Sequence, residues 1–422
     1  MLINEKTWEF VRKHAFDDVR QLALQGSKDA DVDLTLALQQ IAGRQTAHRK
    51  LPSWAAVEGI VYPPHLNLEQ CSSEQTARYK AIVVSGLSAD RQSFVDLTGG
   101  FGVDFYFMSQ AFQKRVYVEQ NADLCAIVES NMAALGLSCS VRQDTASAYL
   151  TAMDPVSVIY LDPARRNVYG GRTYGIEDCT PNVLELLPLL MQKASCVILK
   201  LSPMLDWRKA IADIQQPTAC GERPRVNVSE VHIVSVDNEC KELLLVLNKE
   251  HADSLRLVCV NGASTFEFFP NWEKNFLQLG NKFFPTGEYS SSQDFADSPL
   301  YLYEPNASIM KAGCFAELGQ RFSVQQVAQN SHLFLTPHEI EDFPGRGFQI
   351  QAISTMNKQD LKKKFSESLV PMKRANIAVR NFPMTADQLR KKLKLKDGGD
   401  IYIFATTASD DTHKLFICRK IS

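Results

Sequence analysis

The sequence has little cysteine, and its cysteines form no pattern typical of a metal site or a disulfide framework. The 10 cysteines among 422 residues stand singly, with no C-x-x-C pair and no histidine at ligand spacing. An apolar run of membrane-spanning length is also missing, and the first residues have neither the basic start nor the apolar stretch of a signal peptide. We therefore expect a cytoplasmic protein with buried free thiols and no metal.

The chain has no strong excess of charge of one sign. It carries 46 Lys and Arg against 48 Asp and Glu, a formal net charge of -2. The charges are distributed unevenly, because the segment from Lys358 to Lys396 contains twelve Lys or Arg and only three Asp or Glu. That segment is typical of a surface that meets a polyanion. A chain of 422 residues is too long to fold around one hydrophobic core, so its length predicts two to four domains.

Helix-type spacing dominates the first part of the chain, to about residue 87. Apolar residues such as Trp8, Val11 and Ala15 recur at steps of three and four. Pro63 and Pro64 interrupt this pattern, because proline restricts both itself and its predecessor. Helix resumes after residues 72–73, where two serines offer an N-cap.

From residue 94 to about 247, short apolar runs alternate with helical patterns. The runs at 94–97, 116–119, 156–161 and 194–199 predict buried strands of a mostly parallel sheet. Two late runs, at 228–236 and 242–247, have only a short link between them and predict an antiparallel end to the sheet. Domain boundaries are expected near 250 and near 335–345, where proline and glycine cluster.

The segment Asp96-Leu-Thr-Gly-Gly-Phe-Gly-Val-Asp104 follows the first of these strands. Its glycines fall in the turn from strand to helix, where the missing Cβ lets a ligand approach the backbone. A dinucleotide fingerprint would need a third small residue where Phe105 stands. The spacing D-x-x-x-G-x-G instead resembles class I S-adenosylmethionine-dependent methyltransferases, whose acidic position lies near the methionine end of the cofactor. The resemblance implies an α/β fold with a Rossmann-like domain, preceded here by a helical region.

Two further carboxylates follow strands in the order that this fold requires. Glu119 ends the second strand, where it would accept hydrogen bonds from the ribose hydroxyls, and Asp144 follows the third, near the adenine amino group. Either residue alone is also typical of a solvated or helix-capping position. In related enzymes the segment before the domain folds over the methionine part, although capping explains its serines equally well. The predicted cofactor contacts are Gln70, Ser72, Thr76, Asp96, Thr98, Gly100, Gly102, Asp104, Glu119, Gln120, Asp144, Thr145 and Asp162.

A second motif, Asp162-Pro163-Ala164-Arg165, ends the strand at 156–161, at the edge where open α/β sheets bind ligands. It resembles the D-P-P-x motif of nucleic-acid methyltransferases, with alanine replacing the second proline. In amino-nitrogen methyltransferases the last residue of the motif is aromatic and stacks on the target base, which Arg165 cannot do. In the uridine carbon-5 methyltransferases a cysteine nucleophile stands two residues before a proline on the next strand, and here Leu201 occupies that position. Covalent carbon-5 chemistry is therefore unsupported. We predict that Asp162 orients the acceptor atom. The predicted catalytic residues are Asp162, Pro163, Arg165 and Lys200.

The stretch after this motif, 167–175, is rich in glycine, arginine and aromatic residues. It is either an ordinary surface loop or a loop that closes over a substrate, with rings on a base and arginines on phosphates. Lys200, at the next strand end, either orients a substrate oxygen or pairs with Asp162. The predicted substrate contacts in this part are Arg166, Tyr169, Arg172 and Tyr174.

The end of the chain has a β-α-β pattern, with a strand at 375–383, a basic helix at 386–396 and a strand at 401–406. Its basic residues are typical of a phosphate-binding surface and also of a solvated helix. Arg380, Lys391 and Lys392 are the predicted substrate contacts here. With 301–313 and 348–354, this end resembles the small α+β domains, ferredoxin-like and THUMP-like, of a group of bacterial methyltransferases.

The resemblance implies four regions and a substrate class. They are a helical region at 1–87, a class I methyltransferase domain at 88–250, a ferredoxin-like module at 251–340 and a THUMP-like domain at 341–422. By analogy, THUMP-type modules imply structured RNA, so the predicted reaction methylates a nucleotide of tRNA or rRNA. Two alternatives stay open: an enzyme acting on protein or a small molecule, and a binding protein without catalysis.

Overall fold

The computed structural model describes residues 3–165, 175–216, 226–249, 254–270, 299–357, 359–361 and 373–421. The chain forms two units, the first made of Met1–Val234 and Lys241–Leu255, the second of Ser235–Cys240 and Arg256–Ser422. The polypeptide therefore passes from one unit to the other three times, because the tip of one hairpin belongs to the second unit. No helix among the described residues is long and apolar enough to cross a bilayer.

The first unit begins with helices, as the sequence predicts. They are α1 (Glu5–Lys13), α2 (Val19–Gln25), α3 (Leu34–Lys50), α4 (Pro52–Ala55), α5 (His65–Gln70) and α6 (Glu74–Gly86). Asp33 and Ser73 start α3 and α6, since each side chain accepts a hydrogen bond from a backbone N–H of the first turn. In the proline-rich break, the buried Gln40 side chain bonds both the N–H and the carbonyl of Tyr62. The break is thus an ordered connection.

A mostly parallel sheet forms the rest of the first unit. The strands are β1 (Ser93–Asp96), β2 (Lys114–Glu119), β3 (Ser140–Gln143), β4 (Val156–Leu161), β5 (Ala164–Arg165), β6 (Cys179–Thr180), β7 (Ala194–Leu201), β8 (Asn227–Val236) and β9 (Glu239–Asn248). Their order is β8-β9-β7-β4-β1-β2-β3, with β5 and β6 as a separate pair. β4, β1, β2 and β3 run parallel to β7, and β9 is antiparallel to β7. The predicted α/β class is confirmed.

Helices connect these strands: α7 (Val103–Ser109), α8 (Ala122–Ala134), α9 (Ala146–Ala152), α10 (Val183–Lys193) and α11 (Trp207–Gln215). β4 and β7 are buried along nearly their whole length, which is why they appear in the sequence as continuous apolar runs. The strand order reverses between β1 and β4. At such a switch point the carboxyl ends of the strands border a crevice, where ligands of open α/β sheets bind.

The second unit contains a curled, mostly antiparallel sheet and a hairpin. Its strands are β10 (Arg256–Asn261), β11 (Ser264–Phe268), β12 (Tyr301–Pro305), β13 (Gln325–Gln326), β14 (Phe334–Thr336), β15 (Gly345–Thr355), β16 (Asn376–Arg380), β17 (Ile401–Thr407) and β18 (His413–Lys420). Its helices are α12 (Ala307–Ala312), α13 (Phe315–Phe322) and α14 (Ala386–Leu393). The sheet order is β13-β14-β12-β15-β18-β17-β16. β16 and β17 pair in parallel on either side of α14 in the chain, which confirms the predicted β-α-β pattern.

One contact shows that this sheet curls. Arg380, at the end of the edge strand β16, donates a hydrogen bond to Glu304 on β12 at 2.6 Å. Three strands lie between β12 and β16, so in a flat sheet the two would be about 19 Å apart, four spacings of about 4.8 Å. The sheet must therefore bend back toward itself. Buried aromatic rings fill the concave core, with Phe348 and Phe404 centred 4.7 Å apart.

Candidate active site

The turn between β1 and α7 depends on glycine at three positions. A Cβ on Gly99 would lie 2.0 Å from the Tyr117 ring, so no other residue fits there. Gly100 and Gly102 have φ angles of 54° and 79°, in the left-handed region that favours glycine. The Tyr117 hydroxyl donates to the Gly100 carbonyl at 2.5 Å, and the Gly100 N–H donates to Glu119 at 3.1 Å. The turn is thus fixed against β2 while its backbone stays accessible to a ligand.

Glu119 ends β2 and lies half-buried beside this turn. Its Oε2 accepts from Gly100 N, and its Oε1 accepts from Asn121 N at 2.9 Å. Each carboxylate oxygen can accept a second hydrogen bond, so a diol could bind without displacing either contact. Gln120, the next residue, is exposed. The geometry permits the role predicted for Glu119, acceptor of the ribose hydroxyls, which stays a prediction.

Thr98 joins the carboxyl ends of β1 and β4. Its N–H donates to Asp96 Oδ1 at 2.9 Å, and its hydroxyl oxygen accepts from the Asp162 N–H at 2.6 Å. Asp96 is only 1% exposed. Burial raises the pKa of Asp96 well above its ordinary value, and the carboxylates of Asp104, Asp162 and Glu119 raise it further. The neutral form of Asp96 is therefore favoured when no cation is near.

Asp144 and Thr145 follow β3, next to the end of β2. The Asp144 N–H donates to the Glu119 carbonyl at 3.1 Å, and Asp144 Oδ1 accepts from the Thr145 N–H at 2.7 Å. The Thr145 hydroxyl caps α9 by accepting from Ala148 N at 3.2 Å. Asp144 is half-buried and Thr145 exposed. Asp144 thus lies at the predicted edge, and contact of either residue with the cofactor stays a prediction.

The segment before the sheet reaches the same region through Ser72. The Ser72 hydroxyl is buried and donates to Asp104 Oδ2 at 2.8 Å. Thr76 is also buried, and its hydroxyl donates to the Ser73 carbonyl within the first turn of α6. Gln70 is exposed at the end of α5. Of the three contacts predicted in this segment, only Ser72 bonds directly to another residue of the site.

Five ionic side chains form an alternating series that we call the charge chain: Glu242, Lys80, Asp104, Lys200 and Asp162. Lys80 Nζ lies 2.6 Å from Glu242 and 3.1 Å from Asp104 Oδ1; Lys200 Nζ lies 3.8 Å from Asp104 Oδ2 and 2.5 Å from Asp162 Oδ2. Exposure of the side chains rises along it, from 0–3% at Lys80 and Glu242 to 36% at Asp162. The charge chain thus leads from the core to the edge of the sheet, where it ends at Asp162.

Two inner members of the charge chain, Asp104 and Lys200, keep their charges. Burial opposes the ionisation of Asp104, but Lys80, Lys200 and hydrogen bonds from Tyr160 and Ser72 lower its pKa below the ordinary value. For Lys200, burial favours the neutral amine, but the carboxylates of Asp162 and Asp104 raise its pKa well above the ordinary value. Lys200 is therefore an ammonium ion that holds Asp162, and it cannot act as a general base.

The remaining residues of the D-P-A-R motif are placed only in part. Pro163 is buried two residues after the end of β4, and the Arg165 backbone pairs with Cys179 in the small β5–β6 pair. The Arg165 side chain lies outside the described residues. The same holds for the four predicted loop contacts, Arg166, Tyr169, Arg172 and Tyr174.

The substrate contacts predicted at the end of the chain lie in the second unit. Lys391 and Lys392 are exposed on α14, and no ion pair of either appears among the described residues. Arg380 is 39% exposed and pairs with Glu304. Binding of RNA by these three residues stays a prediction.

Sequence reasoning misses two members of the charge chain, Lys80 and Glu242. A signal for Lys80 exists, because it lies on the face of α6 that carries Ala77 and Val84, three and four residues away, and this face is buried. A lysine on an apolar face indicates a buried acidic partner. Nothing in the local spacing identifies that partner as Glu242, which begins the apolar run of β9.

Family models match the end of the chain. A ferredoxin-like domain matches residues 301–344, and a domain described as THUMP domain-like matches residues 345–420. Both matches lie in the second unit, and β12 and β15, one from each, are neighbours in one sheet. No curated protein matches the chain. The domain limits predicted at residues 87, 250 and 340 stay predictions.

Solved structures provide the decisive comparison. A crystal structure described as a "putative methyltransferase" from Porphyromonas gingivalis W83 matches over 100% of both chains, with a TM-score of 0.79 and 27% identity. This chain is similar over its whole length to that putative methyltransferase, and it ends in ferredoxin-like and THUMP-like domains. Partial matches include an S-adenosylmethionine-dependent methyltransferase from Agrobacterium tumefaciens (15% identity, 42% of this chain and 62% of that one, TM-score 0.29). Another is an rRNA methylase from Streptococcus thermophilus (13% identity, 42% of this chain and 96% of that one, TM-score 0.30).

S-adenosylmethionine is the cofactor that the sequence predicts, and the residues at the sheet edge fit it. Gly100 and Gly102 leave the turn accessible, and Glu119 keeps acceptor capacity for a diol. The charge chain has three carboxylates against two ammonium groups, which suits a ligand with a cationic sulfonium. Among the described residues, Asp104 Oδ1 accepts no hydrogen bond, although Lys80 Nζ lies 3.1 Å away. When bound, the cofactor supplies an activated methyl group.

Proposed function

We propose that the methyltransferase transfers the cofactor methyl group to a nucleotide of tRNA or rRNA. The observation that carries the proposal is the position of Asp162, the exposed end of the charge chain, beside the carboxyl ends of β1 and β4. The THUMP-like match at 345–420 and the basic segment before residue 396 support RNA as the acceptor. Acceptor and cofactor would then meet at the edge where open α/β sheets bind ligands.

Asp162 has the properties of a residue that orients an acceptor. Its backbone is fixed by Thr98, and Lys200 holds Oδ2 at 2.5 Å, while the side chain stays 36% exposed. Oδ1 is therefore available to accept a hydrogen bond from an amine or hydroxyl of the nucleotide. The cofactor would supply an activated methyl group, and Asp162 would orient the acceptor atom for an in-line displacement. Asp162 or solvent would take the proton that the acceptor atom loses. Correct positioning supplies most of the rate of such an in-line displacement.

The test of this function identifies the acceptor. The full chain is incubated with methyl-tritiated S-adenosylmethionine and unmodified transcripts of tRNA and rRNA, and precipitable label is counted after RNase or protease treatment. RNase-sensitive, protease-resistant label is the expected result. Protease-sensitive label would mean a protein acceptor. Cofactor binding without any label transfer would mean a protein that binds the cofactor without catalysis.

Cofactor affinity is expected to increase with pH because of Asp96. Burial and neighbouring carboxylates raise the pKa of Asp96, so the free protein releases the proton of this residue at a higher pH than an exposed aspartate does. A cationic ligand favours the carboxylate and releases this proton. While the pH is below the pKa of Asp96, the Kd should therefore fall as pH rises, by at most about tenfold per pH unit.

Titration calorimetry across the pH range measures this effect. Asp96→Asn is the matched control, because it keeps the acceptor of the Thr98 N–H and cannot titrate. It also corrects for ionisation of the cofactor's own amino group. A Kd with the same pH dependence in the wild type and in Asp96→Asn would contradict the assignment.

A further inference from the structure

Two arginines in the second unit converge on one buried carboxylate. Glu304 on β12 is 5% exposed. Arg346, its register partner on β15, donates to Glu304 Oε2 from both Nε and Nη2. Arg380, at the end of β16, donates from Nη2 to Glu304 Oε1 at 2.6 Å. Both guanidinium groups are therefore held within hydrogen-bond distance of one buried carboxylate.

This cluster keeps one positive charge. Glu304 compensates one guanidinium, and among the described residues no other carboxylate pairs with Arg346 or Arg380. The uncompensated charge acts on nearby groups: burial lowers the pKa of His332, and Arg380 lowers it further. Arg346 and Arg380 are nevertheless 45% and 39% exposed. Their outer edges thus face solvent with net positive charge.

The arginines have donors to spare. A guanidinium carries five N–H groups. Arg346 uses two of them on Glu304, and Arg380 uses one on Glu304 and one on the Val379 carbonyl. About six N–H groups of the pair are left for solvent or a ligand. Such a fixed fork of donors matches the oxygens of a phosphate group.

A structural role explains Arg380 and part of the placement of Arg346, whose guanidinium lies over the Phe348 ring, 5.7 Å from its centroid. The Arg380–Glu304 bond connects strands that three others separate, so it fastens the curled sheet. Arg346 adds nothing to that fastening, because β15 is already the hydrogen-bonded neighbour of β12. It instead brings a second positive charge to the site. That surplus is what an anion-binding site requires.

We infer that Glu304, Arg346 and Arg380 form a phosphate-binding site in which the buried glutamate holds two arginines ready for an anion. The assignment of this phosphate to RNA rests on the proposed function. Either an internal phosphodiester or a terminal phosphate supplies the same oxygens. Glu304 is a positioning residue, and the arginines make the contacts.

The experiment measures binding of the full chain to a short stem-loop RNA, without cofactor, by fluorescence anisotropy. One RNA carries a 5′-phosphate and the other a 5′-hydroxyl. Arg346→Gln should weaken binding by about tenfold and reduce the slope of log affinity against log salt by about 0.7–0.9. Arg346→Lys keeps the charge but loses the fork of N–H donors, so its RNA affinity should lie between those of the wild type and Arg346→Gln. Arg256→Gln is the control, since Arg256 is similarly exposed, at 40%, and pairs with Glu267 in the same unit.

The possible outcomes distinguish an internal phosphodiester, a terminal phosphate and the absence of a phosphate site. If Arg346→Gln loses affinity for both RNAs, the ligand is an internal phosphodiester. If it loses affinity for the 5′-phosphate RNA alone, the ligand is a terminal phosphate. Wild-type affinity and salt slope in Arg346→Gln, with an unchanged circular dichroism spectrum, would overturn the site, as would a wild-type chain that binds neither RNA. Arg380→Gln is a second variant, to be read only if it folds. Transfer of label to RNA is measured separately, so the proposed function can stand when this site fails.

Discussion

Asp162→Asn is expected to lower kcat for methyl transfer by about 10²- to 10⁴-fold, with a smaller loss of cofactor affinity. The amide keeps the size of the side chain and the backbone bond to Thr98. It loses the charge that Lys200 holds and the acceptor strength needed to orient a nucleophile and receive its proton. The effect should therefore appear in the chemical step. Single-turnover label transfer and titration calorimetry measure the two quantities separately.

A matched pair elsewhere in the first unit provides the control. Asp213 and Lys209 on α11 form an aspartate–lysine ion pair at 2.6 Å, close to the 2.5 Å of Asp162 and Lys200. Asp213→Asn removes a similar charge and should leave kcat unchanged. If Asp162→Asn kept the activity of Asp213→Asn, Asp162 would not be the orienting residue.

Lys80→Met is expected to reduce the free energy of unfolding of the first unit by about 3–5 kcal/mol. Lys80 is fully buried and neutralises two acidic groups, Asp104 and Glu242, which are almost as inaccessible. Methionine fills the same volume without the charge. Both carboxylates then remain in a region of low polarity with less compensation, which is the costly way to break a buried ion pair.

Urea unfolding followed by tryptophan fluorescence measures this loss. Trp54 and Trp207 are buried in the first unit, so their signal reports on it when the units unfold separately. Lys209→Met removes a half-exposed lysine from the Asp213 pair and should cost at most about 1 kcal/mol. The double variant Lys80→Met with Glu242→Leu should be more stable than Lys80→Met alone. Equal stabilities of Lys80→Met and Lys209→Met would show that the charge chain does not stabilise the fold.

Much of the fold was predictable because burial repeats with the period of each element. Steps of three and four at Trp8 and Val11 indicate helix, and continuous apolar runs indicate the fully buried strands β4 and β7. The serine cap of α6 and the late antiparallel strands are likewise confirmed. These signals are local, and local sequence is sufficient to define them.

The candidate site was predictable in part. Parallel strands bring their carboxyl ends to one edge, so Asp96, Glu119 and Asp162 could be placed together from their order alone. Which partner each charge has could not be predicted, because Glu242 joins Lys80 through the packing of β9. The same limit applies to Arg380, whose partner Glu304 comes close only because the sheet curls.

The distance along the chain between Lys80 and Glu242 has a consequence during synthesis. The two are 162 residues apart, so at about 5–20 residues per second the glutamate leaves the ribosome about 8–32 s after the lysine. Throughout that interval the nascent α6 carries a lysine on its apolar face without its partner from β9. A chain that ends before residue 242 would keep this defect permanently. The active site is therefore expected to mature only when the last hairpin of the first unit has been translated.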